Sequence, residues 1–189
     1  MKNSLLILIL LLLKTGTYAQ KGDQARKGRL YSDITNHERI ESECIGLFCF
    51  TKSDFWKKAD SLFKDLSLHA VLRYFDSSSR TIKYYAFLRM LDLNDNYAYR
   101  ALKRTISDST KMWWAFDDTM GQDNFNQLLA NEYKMFIDMK YRTAGTVILP
   151  GRYYFGKTTY HFSENNKKQW RNKLNEFTRL MKENGIRSQ

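Results

Sequence analysis

The chain has 189 residues, 43% of them hydrophobic, with 31 Lys and Arg against 20 Asp and Glu and a formal net charge of +11. That length suits one domain able to bury a core. So basic a balance favours anionic partners over cationic ones (nucleic acid, lipopolysaccharide, acidic glycans or anionic membranes), though it also serves solubility alone.

The start of the chain reads as an export signal. Lys2 supplies a positive n-region, Leu5 to Leu13 is an unbroken run of Leu and Ile, and Thr17-Tyr18-Ala19 offers small side chains to a signal peptidase. As a helix the run spans only about 14 Å against roughly 30 Å of hydrocarbon, and Lys14 interrupts it, so a retained anchor is not expected. No Cys follows it, which argues against lipid attachment. Residues 1–19 are therefore expected to be a signal peptide cleaved before Gln20, residues 20–43 a flexible N-terminal arm and residues 44–189 a single helical domain. The destination is periplasmic or secreted, with no transmembrane segment after cleavage. Loss of Lys2 and Lys14 takes 31 basic residues to 29 against the same 20 acidic ones, leaving about +9.

Gln20 to Glu43 is rich in charge, Gly, Ser and Asn, and is read as loose, with at most a helical turn around Ile34 to Ile40. Cys44 and Cys49 follow in CIGLFC. In an oxidising compartment so close a pair is read as a disulfide, with Gly46 letting the short ring turn. Free buried thiols are the alternative. Zinc would need two more ligands, and His37, His69 and His161 are isolated singles.

The first strong helix starts at Ser53, an N-cap residue, with Asp54 in its first turn and an apolar stripe of Phe55, Trp56, Ala59, Leu62, Phe63 and Leu66. Three short helices are then predicted between Leu68 and Ile106, separated by polar breaks at Asp76-Ser77-Ser78-Ser79 and Asn94-Asp95-Asn96. The middle one, Thr81 to Leu91, should turn Ile82, Tyr85, Ala86, Met90 and Leu93 inward, with small Ala86 letting a neighbouring helix approach. This stretch is the organising centre of the chain.

The run from Leu72 through Asp76 to Ile82-Lys83-Tyr84-Tyr85-Ala86-Phe87-Leu88-Arg89-Met90 resembles a HEAT repeat. In that family a first helix ends at an acidic turn, and the second opens with an aliphatic–basic pair followed by alanine. Ile82, Lys83 and Ala86 match. Lys83 stands where the family usually has arginine, and Phe87 and Arg89 stand where it prefers small residues. The likeness covers about forty residues, and the chain is also similar to small exported bacterial proteins carrying one such unit. It implies a protein-binding surface along paired helices. One unit excludes a long solenoid, which needs about three to bury a continuous core.

After Ser107, Lys111 to Phe116 is too aromatic for an exposed loop and should fold back onto the helices. Asp123 is expected to cap a helix carrying Phe125, Leu128, Leu129, Tyr133, Phe136 and Ile137 inward. Thr146 to Leu149, the Pro150-Gly151 turn pair and Arg152 to Phe155 predict a β-hairpin. Ser163-Glu164 should start a last helix with Trp170, Leu174, Phe177 and Leu180 or Met181 as its apolar stripe. The expected fold is mainly α: a compact helical stack with one HEAT-like helical hairpin and a short β-hairpin before the C-terminal helix.

No serine or cysteine sits in a nucleophile setting, and no glycine-rich phosphate loop occurs. His37-Glu38 begins like H-E-x-x-H, but the fourth residue after His37 is Glu41, so the second ligand is missing. Asp117, Asp118 and Asp123 lack the calcium-loop pattern and are read as capping and solvated loop. Enzyme activity, cofactor and metal are not expected.

The most suggestive surface alternates cations with rings: Arg152, Tyr153, Tyr154, Phe155, Lys157, Tyr160 and His161. Arg152, Tyr154, Lys157 and Tyr160 are the candidate binding residues there, with Arg100, Lys103 and Arg104 as a second basic group. The leading expectation is an exported binding protein with a protein partner, using the HEAT-like helical surface. Next comes a binder of anionic polymers through the basic-aromatic surface, and third a hydrolase with an unrecognised site.

Overall fold

The structure is a computed structural model that describes residues 22–45, 51–117, 119–142, 146–148, 159–161 and 164–186. It is mainly helical. Helix α1 covers residues 22–35, and strands β1 (Arg39–Ile45) and β2 (Thr51–Lys52) follow. Then come α2 (Asp54–Phe63), α3 (Leu68–Phe75), α4 (Arg80–Leu93) and α5 (Asp95–Arg104). The chain continues through β3 (Lys111–Asp117), β4 (Thr119–Asn124), α6 (Phe125–Arg142), β5 (Thr146–Ile148), β6 (Thr159–His161) and α7 (Glu164–Glu183).

The three-helix centre forms as expected, and its caps explain why it breaks where it does. The Ser67, Ser79 and Asn94 side chains accept from the backbone N–H groups of Ala70, Ile82 and Asn96, starting α3, α4 and α5 in turn. Ser53 does the same for α2 through Trp56. Helix α4 packs against α2, α3, α5, α6 and β1, and is buried on every side, from Thr81 and Ile82 through Tyr84 to Leu88 and on to Met90 and Leu91. Each fully buried ring or branched side chain there contributes on the order of 1.5–3 kcal/mol. Leu93, expected inward, stands exposed at the C-terminal end of α4, where the chain is already turning into Asn94.

Residues 20–43 depart from the expected loose arm. From residue 22 they fold as α1 and the start of β1. Leu30, Tyr31 and Ile34 recur at one- and three-residue steps and pack on the core, Ile34 completely. Asp23, bridging to Lys27 at 2.8 Å and Arg26 at 3.4 Å, supplies i,i+3 and i,i+4 pairs on the outside of α1.

A mixed four-stranded sheet, in the order β2-β1-β3-β4, is the element that the helical stack did not anticipate. β1 runs parallel to β3, and β3 turns back into β4. Lys111 to Phe116 therefore reaches the core as a strand, with Met112, Trp114 and Phe116 alternately packed against it. Asp123 lies in β4, where it accepts from Trp114 Nε1 at 3.0 Å, rather than capping α6. Gly121, opposite Trp114, leaves room for the indole: a Cβ there would lie 2.5 Å from the ring.

Before the last helix β5 pairs antiparallel with β6, Thr146 opposite His161 and Ile148 opposite Thr159. The described strand partner of Thr146–Ile148 is Thr159–His161; the expected second strand, Arg152 to Phe155, lies outside the described residues. In α7, Phe177 and Met181 are buried and Trp170, Leu174 and Leu180 pack beside them. The Cys44–Cys49 pairing falls outside the described residues. Cys44 contributes backbone to β1, opposite Lys52.

Candidate functional site

The most distinctive polar cluster lies where β1 meets the start of α2. Alternation along the strands places Arg39 and Glu41 on one face with Trp113, Ala115, Met120 and Gln122, and Ile40 and Trp114 on the other. Glu41 is buried, yet every side-chain oxygen has a partner. Oε1 receives Arg39 Nε at 2.9 Å and Arg39 Nη2, and lies 3.3 Å from His37 Nε2, which donates in the tautomer protonated there. Oε2 receives the Ser53 hydroxyl. Burial alone pushes the Glu41 carboxyl upward. The bonds from Ser53, Arg39 and His37, with the Arg39 charge, outweigh it and hold the group below the usual glutamate range.

Glu41 is also anchored through its backbone. β2 is only two residues long and pairs no further than Cys44, after which Ser53 N–H bonds Glu43 C=O at 2.9 Å. At Glu41 that strand has run out, and the wholly buried Tyr85 hydroxyl of α4 takes its place. The hydroxyl accepts from Glu41 N–H and donates to Glu41 C=O, both at 2.9 Å. Phe55 and Trp56 enclose the ring of Tyr85. The phenol is accordingly raised far above its ordinary range, chiefly by burial.

Above this anchor the face opens. Trp113 is 55% exposed and Met120 71%, the two most exposed large apolar side chains among the described residues. Asn36, His37, Glu38, Arg39, Trp113, Trp114 and Met120 line a groove of about 640 Å³. His37 stacks on Phe55 with ring centroids 3.8 Å apart. The Arg39 guanidinium is held from below through Nε and Nη2, while its Nη1 points to Met120 Sδ at 3.9 Å. The arrangement offers a broad apolar surface beside a rigid cationic donor. Because Glu41 neutralises Arg39 and Glu38 adds a negative charge, the groove is not itself a basic patch.

Of the residues expected to bind, only part is described, and none of those described lines this groove. Arg100, Lys103 and Arg104 lie on the exposed side of α5. Arg100 sits over the Tyr97 ring at 5.4 Å and Lys103 over Tyr99 at 4.6 Å, while Arg104 bonds Asp76 at 2.7 Å and lies 5.9 Å from the Phe75 ring. Tyr160 is in β6, opposite Val147. Arg152, Tyr154 and Lys157 lie outside the described residues.

Sequence reasoning passed over Trp113, Met120, Arg39 and the Glu41 anchor. The period-two pattern of Lys111-Met112-Trp113-Trp114 and the i,i+4 spacing of His37 and Glu41 were the available signals. Among the described residues no group of three or more His, Cys, Asp or Glu side chains is placed to hold a metal ion, and no helix is long and apolar enough to cross a membrane. No family model matches the chain, and no curated protein or solved structure is similar to it.

Proposed function

We propose that this is an exported, non-catalytic binding protein whose partner is another protein, engaged through the open face of the mixed sheet. The observation that carries this is the exposed Trp113–Met120 pair beside an Arg39 held rigid by a buried carboxylate. Trp and Arg dominate protein–protein hot spots, and a side chain fixed before binding loses little entropy on contact. The helical surface suggested by the HEAT resemblance is less well placed for this role, since α4 is enclosed on all sides and α3 alone of that pair faces solvent along its length. Export rests on the Lys2 to Ala19 pattern.

The test is affinity capture from the envelope of the exporting cell with the wild type and a Trp113→Ala/Met120→Ala variant, at physiological salt. Partners retained by the wild type and lost by an equally stable variant support the reading. Identical recovery with both proteins counts against this face.

A second reading draws on α5, where exposed Arg100 and Lys103 each overlie a tyrosine, a cation–ring pairing that suits anionic polymers. Binding to DNA, heparin or lipopolysaccharide that falls steeply with salt and weakens in Arg100→Ala/Lys103→Ala would favour it.

A further inference from the structure

The two edges of the four-stranded sheet are finished differently. On the β2 side the edge is short, and beyond it the Tyr85 hydroxyl covers the Glu41 backbone. The β4 side has no such cover among the described residues: β4 ends the strand order, and no backbone group outside the sheet meets Met120 or Gln122.

Register tells which groups stand open. β3 and β4 pair without a bulge from Lys111 opposite Asn124 to Phe116 opposite Thr119. Phe116 and Thr119 close a two-residue connection, so they form a bonded pair, and bonded and non-bonded pairs then alternate along the ladder. Gly121 and Asp123 accordingly bond to β3. Met120 and Gln122 point their N–H and C=O groups outward, and Asn124 its N–H, its C=O being taken by the first turn of α6.

Edge strands are normally protected by lysine, proline, a bulge or extreme shortness. The sequence of β4, TMGQDN, has no lysine, arginine or proline, and its one charge, Asp123, is engaged by Trp114.

We propose that the outer edge of β4 pairs antiparallel with the same edge of a second copy of this chain, joining two sheets across a two-fold axis at Gln122. The outward-facing set is self-complementary about that residue. Gln122 meets Gln122 of the second copy and the two exchange a pair of backbone bonds, and on either side Asn124 N–H donates to Met120 C=O of the other copy. No like charges face each other in this register, and exposed Met120 comes to lie against Asn124 of the second copy. The Trp113 ring stays open on both copies while Met120 belongs to both surfaces, so a Gln122 substitution tests this pairing and Trp113→Ala alone tests the partner site.

Each copy carries +11 over the full sequence, and 29 basic against 20 acidic residues once Lys2 and Lys14 are removed with the signal, so the copies repel at low ionic strength in either form. Salt screens that repulsion, and dimerisation strengthens as salt is added. Binding to a polyanion would respond in the opposite sense.

The experiment is sedimentation equilibrium of the purified full chain up to near-millimolar concentration, at low and high salt. A concentration-dependent dimer that strengthens with salt is expected. Gln122→Pro removes an outward N–H without touching the β3 ladder and should weaken the dimer about tenfold. Gln122→Lys, which sets like charges face to face on the axis, should weaken it as well and carries the test if the proline variant fails to fold. A monomer under all conditions, or a dimer indifferent to both substitutions, overturns the proposal.

Discussion

Replacing Tyr85 by Phe removes one oxygen atom and leaves two buried backbone groups, Glu41 N–H and C=O, without their bridging partner. A buried polar group left unpaired costs about 1–3 kcal/mol. Two give roughly 2–6 kcal/mol, and the ladder from β1 to β3 holds the strand close to its place, so relief by relaxation is partial. A loss of about 3 kcal/mol is expected, or roughly 6–12 °C in Tm for a chain of this size. Urea unfolding followed by circular dichroism and tryptophan fluorescence measures it. Tyr97→Phe, at a partly buried ring of α5 whose hydroxyl has no hydrogen bond among the described residues, serves as the control. If Tyr85→Phe falls within about 0.5 kcal/mol of that control, the hydroxyl is not closing the strand and the reasoning fails.

The Glu41 anchor has a pH signature. Its folded-state pKa lies below the ordinary 4.5, so its contribution is fully present above that value and is lost as pH falls through the folded value. Glu41→Gln should cost about 1–3 kcal/mol at neutral pH and flatten the acid side of the stability curve, read from urea midpoints between neutrality and strong acid; unchanged acid sensitivity would show that other carboxylates govern it. Gly121→Val forces the Trp114 ring away from β4 and should destabilise by about 1–3 kcal/mol, with a change in tryptophan emission as the indole leaves Asp123. Trp113→Ala/Met120→Ala should leave stability within about 0.5 kcal/mol of wild type by thermal melting, since both side chains stand largely in solvent.

The central helices were legible because their signals are local. A serine or asparagine with a free oxygen stands before each of α2 to α5, and the apolar steps that follow choose the buried face without reference to distant chain. β1 and β3 were not legible in the same way. Arg39-Ile40-Glu41 looks polar by composition, yet Ile40 and even Glu41 are buried, because β3, more than seventy residues on, supplies the parallel ladder and Ser53 and Tyr85 supply the polar partners. A buried carboxylate is unreadable until its donors are in place. Trp113 escaped for the opposite reason: aromatic density suggested burial, whereas strict alternation turns every second side chain outward. The candidate site is thus built from long-range neighbours, while Arg100, Lys103 and Arg104, the described basic residues chosen from the sequence, are α5 side chains already engaged with their own helix or with Asp76.

The single hydroxyl of Ser53 faces two demands at once. It accepts from Trp56 N–H at 2.9 Å to begin α2 and gives its own proton to Glu41 Oε2. Helix starts elsewhere exchange Ser, Asp and Asn at little cost. Here an aspartate would meet Glu41 with a second negative charge and no proton, and an asparagine would have to divide the work between two atoms set further out. The substitutions open to position 53 therefore narrow to threonine, so that a residue chosen for local helix geometry is constrained by a strand on its far side.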